Sequence, residues 1–337
     1  MTISRTRLLV AALVAPAFAL AACGGGDAGS DATSDATSTG GGAAAESYSI
    51  GITQIVSHPS LDAAAVGFKA ALEDAGLDVT YDEQNAQGDQ ATATSIANTF
   101  ASADHDLILA IATPTAQATA QAITDVPILI TAVTDPLEAG LVDSWESPGG
   151  NLTGTSDLNP VDEQLGLLED LAPDAESLGI VYSSGEVNSE IQVELAREAA
   201  AGLGLEVEVA TVTNSGEVQQ AADSLDVDAF YVPTDNTVVS ALESLIQVAE
   251  TKQVPVIAAE GDSVERGALA TYGLDYEQLG YQTGEMAVRI LTEGADPAEM
   301  PIETQTELQL ILNSAAAGRM GVEIPQALLD DADSVLD

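Results

Sequence analysis

From residue 47 onward the chain alternates between two hydrophobic patterns. Short, nearly continuous apolar runs rich in β-branched residues are separated by longer stretches in which apolar residues recur every three or four positions. The first pattern predicts buried strands and the second amphipathic helices. Strands are predicted over 47–53, 77–83, 107–112 and 126–132, and helices over 61–75, 90–103 and 115–124. Gly76 closes the first of these helices, as a stop signal should. After Asn151 the rhythm restarts, with helices predicted over 160–172, 188–203, 216–225 and 234–252 and strands over 177–182, 205–212, 229–232 and 254–258. Such alternation predicts an α/β fold, a parallel sheet covered by helices on both faces, and its repetition predicts two lobes of similar plan.

Residues 106–136 and 228–262 share one layout: a strand, a Pro/Thr loop, a helix, a Val-Pro strand start and a terminal aspartate (Asp135, Asp262). Any two strand–helix–strand units look alike at this level, so the match is compatible with duplication or with simple recurrence. In both cases the loops fall at the carboxyl ends of parallel strands, where open α/β sheets hold ligands.

The first 46 residues follow neither pattern. Arg5 and Arg7 precede an apolar run over 8–20, the basic and hydrophobic regions of a secretory signal, and the run is too short to span a bilayer comfortably. It ends in Leu20-Ala21-Ala22-Cys23, which resembles the lipobox of bacterial lipoproteins. Residues 1–22 are therefore expected to be removed and the Cys23 thiol to be acylated, giving a lipid anchor on the outer face of the cytoplasmic membrane. Cys23 is the single cysteine, so the chain forms no internal disulfide. Residues 24–46 are Gly, Ser, Thr, Ala and Asp without periodicity, and with Cys23 they read as a flexible tether.

Charge narrows the partners. Against 54 acidic side chains stand 8 basic ones, a formal net charge of −46, which excludes nucleic acid and opposes self-association, so a monomer is expected. So acidic a surface suits a salty habitat, or compositional drift in a Gly- and Ala-rich proteome. Enzyme motifs are missing: no Gly-x-Ser-x-Gly elbow, Walker loop or His-Glu-x-x-His is present. One cysteine and two distant histidines, His58 and His105, give no metal site, and no cofactor is implied.

Several segments resemble the family of ABC-transporter substrate-binding lipoproteins whose better-known members bind tryptophan and related aromatic amino acids. They are 54–62 (QIVSHPSLD), 84–90 (QNAQGDQ), 112–117 (ATPTAQ), 131–136 (TAVTDP), 148–157 (PGGNLTGTSD), 232–237 (VPTDNT) and 262–285 (DSVERGALATYGLDYEQLGYQTGE), in order along nearly the whole body. The resemblance implies a type I periplasmic-binding-protein fold: two Rossmann-like lobes joined by a multi-crossover hinge and closing over a small solute. Lobe 1 is expected over 47–154 plus 274–303 and lobe 2 over 155–273 plus 304–337. It also implies ABC permease subunits as partners. A sensory module of the same fold is the alternative, and sugars or amines the alternative ligands to amino acids.

Binding chemistry is expected in the loops at the strand ends. Thr113 before Pro114 looks like a helix N-cap, with Thr115 beside it, and Thr234 and Asp235 play that part in the second lobe, followed by Asn236. Exposed amides at such helix starts bind carboxylates without a cation. An ammonium would need an acidic partner, for which Asp135, Asp157, Asp235, Glu260, Asp262 and Asp275 are candidates, with Gln54 and His58 in the first strand-to-helix loop. Among the few aromatic residues, Tyr272, Tyr276 and Tyr281 lie where the chain should return across the hinge.

Overall fold

The computed structural model describes residues 47–337. The secretory segment, the lipobox at Cys23 and the tether lie outside the described residues. The chain begins with β1 (Ser47–Gln54), α1 (Pro59–Asp74), β2 (Asp78–Asn85), α2 (Gln90–Phe100), β3 (Leu107–Ile111), α3 (Thr113–Ala122), β4 (Ile128–Thr131) and β5 (Leu152–Ser156). After α4 (Val161–Leu171) the plan repeats with β6 (Ser177–Ser183), α5 (Val187–Leu203), β7 (Glu206–Val212), α6 (Val218–Ser224) and β8 (Ala229–Val232). Next come α7 (Asn236–Val239), α8 (Leu242–Lys252), β9 (Val256–Ala258), α9 (Gly261–Glu265) and β10 (Ala270–Gly273). The chain then returns through α10 (Tyr276–Glu293) and β11 (Glu303–Thr304) and finishes with β12 (Gln309–Asn313), α11 (Ser314–Met320), α12 (Gln326–Asp331) and β13 (Ser334–Leu336).

Two sheets result, ordered β11-β5-β4-β3-β1-β2 and β13-β12-β10-β9-β8-β6-β7. The first five strands of each half thus take the same places, and all are parallel. Even the sheet bottoms match: Asp106 Oδ2 accepts from Ser49 N at 2.7 Å, and Asp228 Oδ2 accepts from Ser177 N at 3.0 Å. Each aspartate precedes the central strand of its sheet and ties down the start of the strand beside it, which is what a duplicated unit would do. Each sheet has its own core. Phe68, Phe100 and Ile108 are buried in the first, and Leu165, Phe230 and Tyr231 in the second. The chain crosses between sheets after β5, after β10 and between β11 and β12.

Three features depart from the expected pattern. β5 reads as polar, Leu-Thr-Gly-Thr-Ser, yet it is buried throughout. Its hydroxyls make that possible, since Thr153 Oγ1 donates to Met300 O at 2.7 Å and Ser156 Oγ to Thr134 O at 2.6 Å, so burial leaves them satisfied. The helix expected over 234–252 breaks at Ala241, whose φ of −126° and ψ of 27° separate α7 from α8. β12 runs antiparallel to β10, because the last crossing re-enters the second sheet from the opposite direction.

Helices α1 and α10 meet backbone to backbone. A Cβ on Gly67 would lie 1.8 Å from Glu277 O, and one on Gly280 1.9 Å from Ala64 O. These contacts fix α10, which follows a crossing, against the first sheet. Gly166 in α4, by contrast, faces open space. Replacing glycine by alanine in a helix ordinarily adds up to about 1 kcal/mol of stability. Gly166→Ala is therefore expected to raise the melting temperature slightly and Gly280→Ala to lower it by several degrees. Thermal denaturation of both variants checks this opposition of sign.

Candidate functional site

Each five-strand unit has the order 2-1-3-4-5, in which connections leave in opposite directions on either side of the first strand, opening a crevice at the carboxyl ends of the first and third. In the first lobe these ends carry Thr53, His58 and Thr113; in the second they carry Ser183 to Asn188 and Thr234 to Asn236. The two crevices face one another. Ser60 Oγ of α1 donates to Glu260 Oε2 at 3.0 Å, Thr134 and Thr234 hydroxyls meet at 3.1 Å, and Gln90 Nε2 donates to Gly185 O at 2.9 Å. Every one of these bonds joins one lobe to the other. Beyond them a groove of about 700 Å³ opens, lined by Ile55, Val56 and Pro114 from one side and by Ser184, Thr213 and Asn236 from the other.

Inside this closed cleft several buried polar atoms have no protein partner: Thr53 Oγ1, His58 Nδ1, Thr113 Oγ1, Asp157 Oδ1, Asn159 Oδ1 and Asn188 Oδ1. An orphaned buried polar atom costs on the order of 1–3 kcal/mol, so six in one region mark a place built for something else. Their neighbours are shared. Tyr276 Oη donates to Asp157 Oδ2 at 2.8 Å, and Thr134 touches both Asp157 and Thr234. Asn188 Nδ2 in turn donates to Thr234 O at 2.8 Å. Backbone strain helps aim the first-lobe groups: Ala112 at φ 77° and Ala132 at φ 54° turn the chain sharply after β3 and β4.

Electrostatics here are set by burial. His58, only 5% exposed, has its imidazole pushed down to about 4 by desolvation and then by the Arg266 charge, so it is neutral at pH 7. Burial raises Asp157, and it raises Glu260 to about 8 with help from the charge of Asp157. Among the described residues no basic side chain pairs with them. Lys69, Arg197, Arg266, Arg289 and Arg319 are each paired with a glutamate elsewhere, and Lys252 is held by the carbonyls of Asp223 and Leu225.

The expected site residues divide. His58, Thr113, Asp157, Asn236 and Glu260 lie buried at the facing strand ends, with Asn236 within hydrogen-bonding reach of His58. Thr113 is not the cap: Ala112 is, and the one-residue shift leaves the Thr113 hydroxyl unspent. The others have different work. Thr115 Oγ1 donates back to the carbonyls of Ile111 and Ala112, and Gln54 Nε2 donates to Val56 O and Asp62. Asp135 caps its own turn through Leu137 N and Glu138 N, and Asp275, exposed, caps α10. Asp235 is consumed inside the second lobe by Ser183 N, Ser189 Oγ and Val238 N, where burial and the Glu186 charge push it up to about 7. Asp262 is half-buried in α9, and its charge acts on Glu260. Tyr272 and Tyr281 lie outside the cleft, the latter bonded to Asp74. Sequence reasoning missed Thr53, Asn159 and Asn188, neutral residues of ordinary loop composition, and Glu186, which accepts from Asn236 N and Nδ2 and from Thr237 N and Oγ1. Only the spacing of Asn159, two residues beyond Asp157, offered a signal.

The model of ABC transporter substrate binding proteins matches residues 49–336. The chain belongs to that family. A tyrosine-binding protein of Clostridioides difficile (strain R20291) is 48% identical over 271 residues, covering 79% of this chain and 78% of its own. Among solved structures, an ABC domain from Streptococcus pneumonia in complex with L-Trp is 35% identical, covers 86% of this chain and 100% of its own, and superposes with a TM-score of 0.83. A ligand-free, open substrate binding protein with adhesive properties from Clostridium difficile is 46% identical, covers 86% and 99%, and superposes at only 0.65. This substrate-binding protein thus superposes better on the L-Trp complex than on the open form, and hydrogen bonds join its own two lobes.

Substrate-binding proteins of ABC importers work outside the cytoplasm on a small molecule that a permease receives, and they are not enzymes. Among the described residues no helix is long and apolar enough to cross a membrane. Burial of an acid predicts a pH effect with a definite sign. Glu260 moves from 4.5 to about 8, so between those values the closed form binds more protons than the unfolded chain and loses stability as pH rises. Glu260→Gln is expected to flatten this slope by roughly 5 °C in melting temperature between pH 5 and pH 8 without ligand, leaving the part that the raised Asp157 and Asp235 contribute. A slope unchanged in the variant would assign the effect to other groups.

Proposed function

We propose that this protein captures one aromatic amino acid between its lobes and delivers it to an ABC permease. The observation that carries this reading is the polarity of the unpartnered atoms. On one side Asp157, Asn159 and Asn188 offer three buried acceptor oxygens, the number an ammonium group can satisfy. On the other, Thr53 and Thr113 offer hydroxyls beside the first turn of α3, whose amides favour an anion. Acceptors facing donors across a cation-free cleft suit a zwitterion. The groove outside, with Ile55, Val56 and Pro114 in its wall, suits an apolar or aromatic side chain pointing away from the hinge. The tyrosine-binding relative and the L-Trp complex support the same class. Of the residues expected from sequence, His58, Thr113, Asp157, Asn236 and Glu260 are assigned to this site.

The capture cycle is hinge closure: ligand binds the open form and stabilises the closed one. Cys23 serves as the lipid anchor on the outer face of the membrane, and a net charge of −46 keeps the chain a monomer. A thermal-shift screen of the purified protein tests the ligand class, because a ligand that binds only the native state raises the melting point by mass action. L-Tyrosine, L-tryptophan or L-phenylalanine is expected to give about 2.7 kcal/mol of stabilisation at a hundredfold excess over Kd. A rise with sugars alone would overturn the reading. Cys23→Ala is expected to shift the protein from the membrane fraction to the medium, as read by fractionation.

A further inference from the structure

Two buried carboxyl groups lie in the cleft where the lobes touch, and the charge of one acts on the other. Glu260, in the loop after β9, accepts from Ser60 Oγ of the opposite lobe at 3.0 Å and from Ser263 Oγ at 3.3 Å. Asp157, on the crossing after β5, accepts from Tyr276 Oη at 2.8 Å and keeps its second oxygen unpartnered. Both are at most 3% exposed. The titratable and charged groups around them come from every neighbouring element and none brings positive charge to bear. Asp262 lies on α9, Tyr231 on β8, Tyr276 on α10, and neutral His58 precedes α1 with Asp62 behind it. Arg266, whose charge reaches His58, spends its guanidinium on Glu243 and on Val239 O. Two dehydrated carboxyl groups whose charges repel, with no described basic side chain paired to either, are each favoured to hold a proton.

We infer that Asp157 and Glu260 form a proton-for-ammonium exchange site: the empty closed cleft carries one proton on the pair, and an arriving ligand ammonium displaces it to solvent. The inference rests on the amino-acid reading above and deepens it by naming what selects the cationic end. The ammonium supplies to Asp157 Oδ1 the donor it lacks. Its charge then stabilises both carboxylates in their ionised form, so the pair no longer needs its proton. A neutral amide or hydroxyl in the same place would fill Oδ1 without supplying charge, and the proton would stay. Discrimination therefore comes from charge as well as from hydrogen-bond geometry. Capture is also linked to pH: below the range in which the free pair titrates, each ligand bound must expel a proton, and affinity falls as pH falls.

Titration calorimetry of the purified protein with L-tyrosine and L-tryptophan, in buffers of different ionisation enthalpy, measures the protons released. About one proton per ligand is expected at pH 6–7, with Kd tightening up to tenfold per pH unit toward pH 8. In Glu260→Gln the binding that remains, weaker than in the wild type, is expected to release no proton, and N-acetyl-L-tyrosine, which lacks the ammonium, is expected to bind more weakly and to release none. Tight binding with no proton release in the wild type would overturn the exchange and leave the amino-acid reading intact. So would equal release in wild type and Glu260→Gln. Failure of every aromatic amino acid to bind would overturn both.

Discussion

Asp157 and Glu260 are buried between two lobes with no basic side chain among the described residues paired to them, and the cleft is organised around that constraint. Dehydrating a carboxyl group is expensive unless it is hydrogen-bonded or protonated. Tyr276, Thr134, Ser60 and Ser263 supply the hydrogen bonds, and each comes from a different segment. Closing the lobes therefore does two things at once: it completes the donor set around the acids, and it removes the water that would otherwise solvate them. What remains unsatisfied is Asp157 Oδ1 together with five other polar atoms nearby. An empty closed cleft is thus under-bonded, and a ligand that fills those places recovers free energy that closure alone forfeits.

The scaffold presents these groups by using one topology twice. In each sheet the central strands are buried and apolar, as in Leu107–Ile111 and Ala229–Val232, save for the Tyr231 hydroxyl, which donates to Gln164 Oε1. Specific chemistry is confined to the residues just past their carboxyl ends. Because the two units have the same strand order, turning one to face the other brings two equivalent crevices together. The contents of the crevices differ. The first lobe offers hydroxyls and a neutral imidazole; the second offers amide oxygens and carboxyls, with Glu186 spending its charge on the Asn236-Thr237 turn. The two halves of the cleft therefore differ in chemistry although they share a topology.

Three crossings join the lobes, and one of them leads into α10. Its glycines let it lie against the backbone of α1, so the start of α10 moves with the first lobe. Tyr276 sits at that start and holds Asp157, which follows another crossing. The acid that lacks a partner is therefore positioned by the hinge strands themselves.

Periodicity alone made the α/β plan and its repetition legible, because a buried strand must be apolar along its length and a covering helix must be apolar on one face. Family motifs marked the loops that carry His58, Thr113, Asp157 and Asn236, while Glu260 was a candidate only as an acid near a strand end. The polar strand β5 escaped the pattern, since its burial depends on hydroxyl partners such as Met300 O and Thr134 O, far away in sequence or on a neighbouring strand. For the acidic candidates, sequence determined only that carboxyls stand near strand ends. Whether one caps its own turn, like Asp135 and Asp275, or is stripped of water between lobes, like Asp157 and Glu260, depends on which surface arrives from the other half of the chain. Local sequence fixes a capping bond, because donor and acceptor are two or three residues apart. Desolvation is a property of the assembled cleft, and only the tertiary structure decides it.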